Sequence, residues 1–216
     1  KNKNYEELNT LKIKIDQFKY DQDLILKNFD LEIQKGDKIC ISGKSGSGKT
    51  TLIDIITGIV DCQDLKFFLN GNELKENISF QKRTFSYIPQ SPTIFQTSVQ
   101  DNITLFDDKI DEEKYKKSIE LSRADFIEDF QDRDYKEISE NGVNLSGGQI
   151  QRIFIARAIY SNKEILIFDE STNELDSKTE NQIVDDILKL PQTVLFITHK
   201  EDIKNKFSKT IHIKNK

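Results

Sequence analysis

The chain has 216 residues, enough for one domain with a sizeable core or for one domain with a small subdomain. Its 37 acidic and 32 basic side chains give a net charge of -5, which argues against a nucleic-acid wrap or a polybasic membrane anchor. We expect no membrane-spanning helix and no signal peptide, because no apolar run approaches roughly 18 residues. The two cysteines have no metal-ligand spacing and form no framework typical of an oxidising compartment.

The N-terminal part of the chain alternates apolar and polar residues, as half-buried antiparallel strands do. The segment "LKFFLNGNEL" adds a further strand that runs into a turn at Asn70-Gly71. We therefore expect a small antiparallel β-subdomain at about residues 1–85. The alternating apolar positions are Leu11, Ile13 and Ile15, followed by Phe29, Leu31 and Ile33.

A glycine-rich segment, "GKSGSGKT", fits the pattern G-x-x-x-x-G-K-[ST] at every fixed position. It follows the apolar run "KICIS", an expected strand, and precedes "TLIDIIT", an expected helix, which disfavours a glycine-rich turn without a ligand. Its backbone N–H groups would curl round a phosphate. Lys49 would reach the β- and γ-phosphates of ATP, and the Thr50 hydroxyl would ligate Mg²⁺. The candidate ATP-binding residues of this loop are Gly43, Lys44, Ser45, Gly46, Ser47, Gly48, Lys49, Thr50 and Thr51.

The remainder of the chain alternates helices with buried strands. Residues 112–130 are charged with interspersed apolar positions, which predicts short amphipathic helices. The apolar runs "EILIFDE" and "TVLFITH" are typical of strands buried on both faces of a parallel sheet. Between them we expect a helix that starts with a capping box from Ser177 to Glu180, which makes a βαβ unit. The expected fold class is α/β, with a mainly parallel sheet, the N-terminal antiparallel subdomain and an inserted α-helical subdomain.

Polar side chains follow the buried strands at the edge where such sheets bind ligands. Asp169 would hold Mg²⁺ directly or through water, and Glu170 could accept the proton of the attacking water as general base. His199 is expected to contact the γ-phosphate. Gln90, after "YIP", could place its amide oxygen on Mg²⁺ or on the water. Alone, each residue is more often an ordinary polar loop or a satisfied side chain, and the nearby phosphate loop favours the functional alternative.

The stretch "NLSGGQIQRIFIARAIY" poses a question about its glycines. Apolar residues recur at helical spacing in its second half, yet its start carries Gly147 and Gly148, which each cost roughly 1 kcal/mol relative to Ala in a helix interior. One answer is a capping box between Ser146 and Gln149, since glycines are tolerated in a first turn. The other is that a ligand must approach this backbone more closely than a Cβ would allow.

Together these segments resemble one family. The phosphate loop, "YIPQ", "LSGGQ", "ILIFDE", "NELDS" and "ITH" occur in the order found in ATP-binding-cassette (ABC) ATPases, which have a P-loop NTPase core. The resemblance covers Tyr20 to His199 and implies a Mg²⁺-dependent ATPase whose site is shared between two subunits. The signature helix of one subunit would point its N-terminus at the γ-phosphate held by the other. This role would fall to Ser146, Gly147, Gly148 and Gln149, and it is compatible with a capping box.

The resemblance implies roles for several further residues. Tyr20, in "FKY", matches the position where an aromatic ring stacks on adenine. Asp176 matches the loop that lies across the dimer interface. Asn173 and Glu174 stand where the family usually has small residues, so we expect the fine geometry of the interface to differ.

Two segments are similar to those of ABC exporters. "SPTIFQTSVQDNI" resembles the segment that faces the transmembrane coupling helices, and "EISENGVNLSGGQ", through Glu137, Glu140 and Gly142, resembles a stretch that importers usually lack. We therefore expect a single ATPase domain over residues 1–216, with a helical subdomain at about 91–160, from an exporter of peptides, bacteriocins or drugs. Because the chain has no Met, we expect it to start inside a longer product whose membrane helices precede it.

This hypothesis also implies partners and a location. The partners would be a second ATP-binding domain, as an ATP-dependent homodimer, and the transmembrane domain of the transporter, with no nucleic acid. The location would be the cytoplasmic face of the cell membrane. The alternatives are the ATPase subunit of an ABC importer and a soluble, non-transport ABC ATPase. The missing Met and short tail argue against the first, and the lack of a coiled-coil insertion, a second cassette or a basic patch argues against the second.

Overall fold

Two β-sheets form the frame of the protein, which a computed structural model describes over residues 6–129 and 145–213. The strands are β1 (Thr10–Tyr20), β2 (Asp23–Gln34), β3 (Lys38–Ser42), β4 (Leu65–Leu69), β5 (Asn72–Glu73), β6 (Phe85–Ile88), β7 (Ile165–Asp169), β8 (Thr193–Ile197) and β9 (Lys209–His212). An antiparallel sheet has the order β2-β1-β4-β5, and a parallel sheet has the order β6-β7-β8-β3-β9.

Helices cover both faces of the parallel sheet and form a cluster beside it. They are α1 (Lys49–Thr57), α2 (Asn77–Thr84), α3 (Val99–Thr104), α4 (Glu112–Ser122), a 3-10 helix (Asp125–Asp129), α5 (Gly147–Ser161), α6 (Ser177–Leu188) and α7 (Glu201–Lys204). The short helices expected over 112–130 are thus confirmed as α4 and the 3-10 helix. None of the helices in the described part of the chain is both long and apolar enough to cross a membrane.

The alternating pattern of the N-terminal part is confirmed as antiparallel pairing. Ile13 pairs with Leu31 and points into the core, where both side chains are almost fully buried. The turn between β4 and β5 is also confirmed, because Asn70 and Gly71 have φ of 49° and 88° and a type I′ turn needs positive φ at both positions.

The predicted limits of the β-subdomain, about residues 1–85, are wrong. Strand β3 lies within that span but belongs to the parallel sheet, and α1 and α2 lie there as well. The reason is in β3 itself: the last four of its five residues are buried, as a central parallel strand requires, whereas β1 alternates. The antiparallel sheet therefore takes its strands from either side of the phosphate loop.

The expected βαβ unit is confirmed, but its helix starts differently. Every residue of β7 and β8 is buried, and the two strands pair in parallel. The cap of α6 is Asp176, whose carboxylate accepts the backbone N–H groups of Lys178 and Thr179 at 3.1 and 3.0 Å. The predicted capping box from Ser177 to Glu180 is therefore wrong.

The side chain of Glu180 explains this difference. It is 1% exposed, accepts a hydrogen bond of 2.7 Å from the hydroxyl of Thr172 and lies 2.6 Å from the ammonium of Lys200. A buried carboxylate held by these two partners cannot also reach back to the start of its own helix. The strand β9 was not anticipated from the sequence, because only four residues form it and none of them is fully buried.

Candidate functional site

The phosphate loop joins β3 to α1, and its backbone has the conformation that the glycines predict. Gly46 and Gly48 have φ of 74° and 88°, in the left-handed region that side chains rarely adopt. Gly48 is also pressed against β2, since a Cβ there would lie 3.0 Å from Cγ2 of Ile25. At the N-terminus of α1 no side chain caps the helix and the first turn has no acidic residue, so its N–H groups can receive an anion.

A buried cation and an unpaired hydroxyl line this loop. The ammonium of Lys49, a residue 7% exposed, donates to the carbonyl oxygens of Gly43 and Lys44 at 3.0 and 3.1 Å. The hydroxyl of Ser47 is buried and has no hydrogen-bond partner among the described residues. Since buried polar groups are normally satisfied, this donor set fits a bound phosphate.

A carboxylate lies beside the first turn of α1. Asp169, the last residue of β7, is 2% exposed. Its Oδ2 accepts a hydrogen bond from the hydroxyl of Thr50 at 3.0 Å and another from the phenol of Tyr87 at 3.3 Å. A hydroxyl and a carboxylate side by side are ligands that Mg²⁺ uses together with nucleotide phosphates, so this donor pair fits the expected metal. The described residues contain no cluster of three or more His, Cys, Asp or Glu side chains that could hold a metal.

The charge of Asp169 is costly in this position. Burial raises the pKa of its carboxyl, and the hydrogen bonds from Thr50 and Tyr87 work against that rise. The neighbouring carboxylates of Glu170 and Asp54 raise the pKa further. The site therefore holds an anion whose nearest donors are neutral hydroxyls, and a cation placed here would relieve an unfavourable local charge.

Glu170 holds the centre of a second group of polar side chains. Its φ of 49° is left-handed, which is strained for a residue with a side chain, and such strain is common at functional sites. Its Oε1 lies 2.7 Å from Nε2 of His199. Its Oε2 accepts hydrogen bonds from the amides of Gln90 at 3.3 Å and Asn173 at 3.1 Å. The carboxylate is thus held from three directions by residues that come from three different loops.

The residues predicted from the strand ends therefore meet, with one difference in detail. Thr50 and Asp169 form one pair, and Glu170, His199 and Gln90 form the second group. The amide of Gln90 faces Glu170 through its nitrogen, so its expected contact with Mg²⁺ or water stays a prediction. The contact of His199 with the γ-phosphate stays a prediction as well.

The signature helix α5 begins as both sequence hypotheses require. Ser146 caps it and accepts the N–H of Gln149 at 3.2 Å, while the Gln149 side chain accepts the N–H of Ser146 at 2.8 Å. The predicted capping box is confirmed. Ser146 and Gly147 are exposed at the surface of the chain.

The glycines of α5 have a neighbour that the sequence did not reveal. A Cβ on Gly148 would lie 3.1 Å from the backbone oxygen of Glu174, and one on Gly147 would lie 3.2 Å from its carboxylate. The loop after β7 is fixed here, because the N–H of Glu174 donates to the Gln151 side chain at 3.0 Å. The close approach inferred from the glycines is therefore made in part by the chain's own backbone.

Tyr20 ends β1 near the phosphate loop. It is 48% exposed, and its ring meets that of Phe18 edge-on at 5.0 Å. It pairs with Asp23 at the start of β2, the strand whose Ile25 touches Gly48. An exposed ring at this point is compatible with stacking on a base, and that role stays a prediction. Thr51 is half-buried in α1, whereas Lys44, Ser45 and Gly46 are exposed.

Sequence reasoning missed two residues that touch the site. Tyr87 lies inside the quoted motif "YIPQ" and reaches Asp169, and Asn173 was singled out only as a departure from the family but reaches Glu170. The segment that carries Glu137, Glu140 and Gly142 lies outside the described residues. The sequence signal for both missed residues was their place within the quoted motifs "YIPQ" and "NELDS".

Comparison with protein families gives a match over residues 26–173 to the family described as ABC transporter. The chain belongs to this family. ATP-binding domains of ABC transporters are ATPases, and both the phosphate loop and Asp169 fall within the matched segment. The mixed α/β architecture, with one antiparallel and one parallel sheet, is that of the ABC ATPase fold.

The relatives of this ABC protein include components of exporters. It is 38% identical over 180 residues to the lactococcin-A transport/processing ATP-binding protein of Lactococcus lactis, which covers 82% of this chain and 25% of that protein. It is 36% identical over 188 residues to the alpha-hemolysin translocation ATP-binding protein of Proteus vulgaris, covering 85% and 27%. The structure of a bacterial Atm1-family ABC exporter with ATP bound matches with a TM-score of 0.86 and 25% identity, covering 95% of this chain and 37% of that one. The ABC chain therefore spans only 25–37% of the length of these proteins.

Proposed function

We propose that this chain is the ATPase domain of an ABC exporter, in which Mg²⁺-dependent ATP hydrolysis drives export of a substrate across a membrane. The observation that carries the proposal is the meeting of Lys49, Asp169 and Glu170 around one phosphate loop. A buried cation, a buried carboxylate beside a hydroxyl, and a second carboxylate held by polar side chains are the parts that phosphoryl transfer to water needs. The exporter assignment is supported by the names of the relatives.

Each part of the phosphate loop would have a separate task in binding ATP. The ammonium of Lys49 would exchange its two carbonyl acceptors for the β- and γ-phosphate oxygens, and the unpaired hydroxyl of Ser47 supports phosphate in the same place. Thr50 and Asp169 would hold Mg²⁺, which neutralises charge on the phosphates when it is bound. Tyr20 would stack on the adenine through its exposed ring.

Glu170 is the group best arranged to accept a proton from water. Its carboxylate lies next to the buried Asp169 in sequence, and one of its oxygens is 2.7 Å from His199. Because Gln90, Asn173 and His199 contact the two oxygens, the carboxylate cannot swing away from the loop. In this proposal Glu170 takes the proton as water attacks, and His199 supports the γ-phosphate side of the site.

The exposed start of α5 supports a site shared between two subunits. Ser146 offers a hydroxyl at the surface, and the capping box leaves the backbone N–H groups of Gly147 and Gly148 for a ligand. We propose that a second ATP-binding domain brings its γ-phosphate to this turn, so that the domain dimerises when ATP bridges the two halves. Gln149 would act through the capping box that orients Ser146.

An apolar surface on the helical part supports a membrane-domain partner. Phe95, Leu105 and Phe106 are 42%, 51% and 57% exposed, and the rings of Phe95 and Phe106 lie 5.9 Å apart. We propose that the intracellular helices of the exporter's transmembrane part dock here, since this chain covers only 25% of the lactococcin-A protein and 37% of the Atm1-family exporter chain. The domain would then work at the cytoplasmic face of the cell membrane, as one domain with a helical subdomain at about residues 91–160. A peptide or bacteriocin is the proposed cargo, by analogy with the lactococcin-A protein.

Molar mass measured by light scattering tests the shared site. The variant Glu170→Gln keeps the shape of the side chain but removes the base, so it should bind ATP, stall before hydrolysis and accumulate as a dimer. The wild-type chain should hydrolyse ATP only with Mg²⁺ and remain mostly monomeric without nucleotide. Adding Lys49→Ala to Glu170→Gln should restore the monomer, because phosphate binding is lost. A Glu170→Gln chain that stays monomeric at saturating Mg²⁺-ATP would contradict the shared site.

A further inference from the structure

The phenol of Tyr87 bonds a carboxylate that the proposed mechanism assigns to the metal. Tyr87 lies on β6, an edge strand of the parallel sheet, and its ring packs against the core between the two sheets. Its hydroxyl is 3.3 Å from Oδ2 of Asp169, at the end of the neighbouring strand β7. The two residues are 82 positions apart in the chain, so the contact exists only because the two strands pair.

The same carboxylate oxygen receives two hydroxyl protons. Thr50 donates to Oδ2 of Asp169 at 3.0 Å and Tyr87 donates to it at 3.3 Å, whereas none of the described residues donates to Oδ1. Two donors that converge on one oxygen fix the rotation of the carboxylate about its χ2 angle, a torsion that is otherwise broad. The second oxygen is thereby held at a set angle to the phosphate loop.

Tyr87 is suited to this task because its hydroxyl is not one of the expected metal ligands, so it can keep donating to Asp169 when the metal binds. Thr50 differs from Tyr87, because its hydroxyl oxygen is itself an expected metal ligand. We therefore expect the hydrogen bond from Thr50 to Asp169 to change when that oxygen binds the metal.

We propose that Tyr87 is a positioning residue that orients Asp169 for Mg²⁺. It contacts neither the nucleotide nor the metal and acts through the carboxylate alone. Loss of a residue that orients a metal ligand typically lowers metal affinity about 10- to 100-fold. The inference rests on the proposed Mg²⁺-ATP site. It adds to that site a residue whose loss lowers the affinity for Mg²⁺ but not the affinity for metal-free nucleotide.

The test compares the wild-type chain with Tyr87→Phe, which keeps the ring and its packing and removes only the hydroxyl. The first measurement is the Mg²⁺ concentration that gives half-maximal hydrolysis, which we expect to rise about tenfold. The second needs no hydrolysis: it is the affinity for a fluorescent, non-hydrolysable ATP analogue, measured in EDTA and at limiting Mg²⁺. In EDTA we expect Tyr87→Phe and wild type to bind the analogue equally well. At limiting Mg²⁺ we expect the affinity of Tyr87→Phe for the analogue to be lower by about threefold or more.

A matched control exists in the same chain. The phenol of Tyr160 donates to an oxygen of Asp107 at 3.0 Å, so Tyr160→Phe removes the same kind of hydrogen bond from a carboxylate other than Asp169. This variant should keep the wild-type dependence on Mg²⁺. Equal Mg²⁺ requirements in Tyr87→Phe and wild type would overturn the inference, and so would an equal loss of affinity with and without Mg²⁺. A wild-type chain whose nucleotide affinity ignores Mg²⁺ would overturn the proposed site as well.

Discussion

The phosphate-loop edge of the sheet and the start of the signature helix α5 are built on opposite plans. At the sheet edge the two central charged groups, Asp169 and Lys49, are buried and paired within the chain, with exposures of 2% and 7%. At the start of α5 the groups are exposed, and most of them belong to the backbone. In the first region, hydrogen bonds within the chain hold Asp169 and Lys49 in position. The second presents a surface whose closest described neighbour is the loop around Glu174.

This difference shows that the unbound state costs free energy in one half of the proposed site and little in the other. A buried carboxylate such as Asp169 is unfavourable until a cation arrives, so binding is coupled to relief of that charge. An exposed turn such as that at Gly147 costs little while it is empty and gains its energy only when a phosphate approaches. Changes at the sheet edge should therefore affect ATP binding and hydrolysis, and changes at α5 should affect assembly.

The largest effect is expected from Lys49→Ala, which breaks the sheet-edge half. Loss of the cation beside the phosphates should lower Mg²⁺-dependent hydrolysis at least tenfold, about 1.4 kcal/mol of transition-state stabilisation. The measurement is steady-state phosphate release. The control is Lys38→Ala, since Lys38 is a partly buried lysine at the other end of β3 that also donates to two carbonyl oxygens, those of Leu190 and Gln192. Similar losses in both variants would point to damaged folding instead of lost phosphate contact.

The next largest effect is expected from Gly148→Asp in the Glu170→Gln background. A side chain and a negative charge would stand where the proposed phosphate arrives, so the ATP concentration needed for dimerisation should rise at least tenfold, roughly 1.4 kcal/mol. Because a Cβ at this position also comes within 3.1 Å of the Glu174 backbone oxygen, Gly148→Ala is the matched control for crowding. In light scattering, Gly148→Ala should raise the ATP concentration needed for dimerisation much less than Gly148→Asp does. If Ala and Asp act alike, the glycine serves only the packing of its own chain.

A smaller effect, of opposite sign, is expected from Glu174→Gln. The exposed carboxylate of Glu174 lies against the first turn of α5 and would repel the phosphate of the proposed partner, whereas an amide would keep the packing against Gly147. A charge at a helix terminus is worth about 0.3–1 kcal/mol, so dimerisation should need roughly two- to fivefold less ATP. The gain should shrink at high salt. Glu112→Gln, which removes a charge from the first turn of α4, should change nothing, and a weaker dimer in Glu174→Gln would contradict this role.

The smallest effect is expected from Tyr20, whose ring is proposed to stack on the adenine of ATP. If the ring of Tyr20 stacks on adenine, Tyr20→Ala should weaken ATP binding by about 1 kcal/mol, roughly fivefold, while Tyr20→Phe keeps the ring and loses little. The affinities of the two variants are measured by titration with a fluorescent ATP analogue. The edge-on contact of Tyr20 with Phe18 offers a structural alternative, which equal losses in the two variants would support.

The sequence by itself determined the parts whose signal is local. The phosphate loop, the buried strands β7 and β8 and the capping box of α5 depend on residues a few positions apart, and all three are found as predicted. Even so, the cap of α6 shows the limit of local rules. Glu180 satisfies the sequence pattern of a capping box but is drawn away by Lys200, which comes from the other end of the βαβ unit.

Only the tertiary structure decided which side chains meet. Thr50 and Asp169 are 119 positions apart, and Gln90 and Glu170 are 80 positions apart, so no spacing rule connects them. Parallel pairing brings the carboxyl ends of β6, β7 and β8 to one edge, and that geometry delivers Tyr87 to Asp169. The physical reason is that a hydrogen bond depends on distance and angle in space, whereas a motif records only order along the chain.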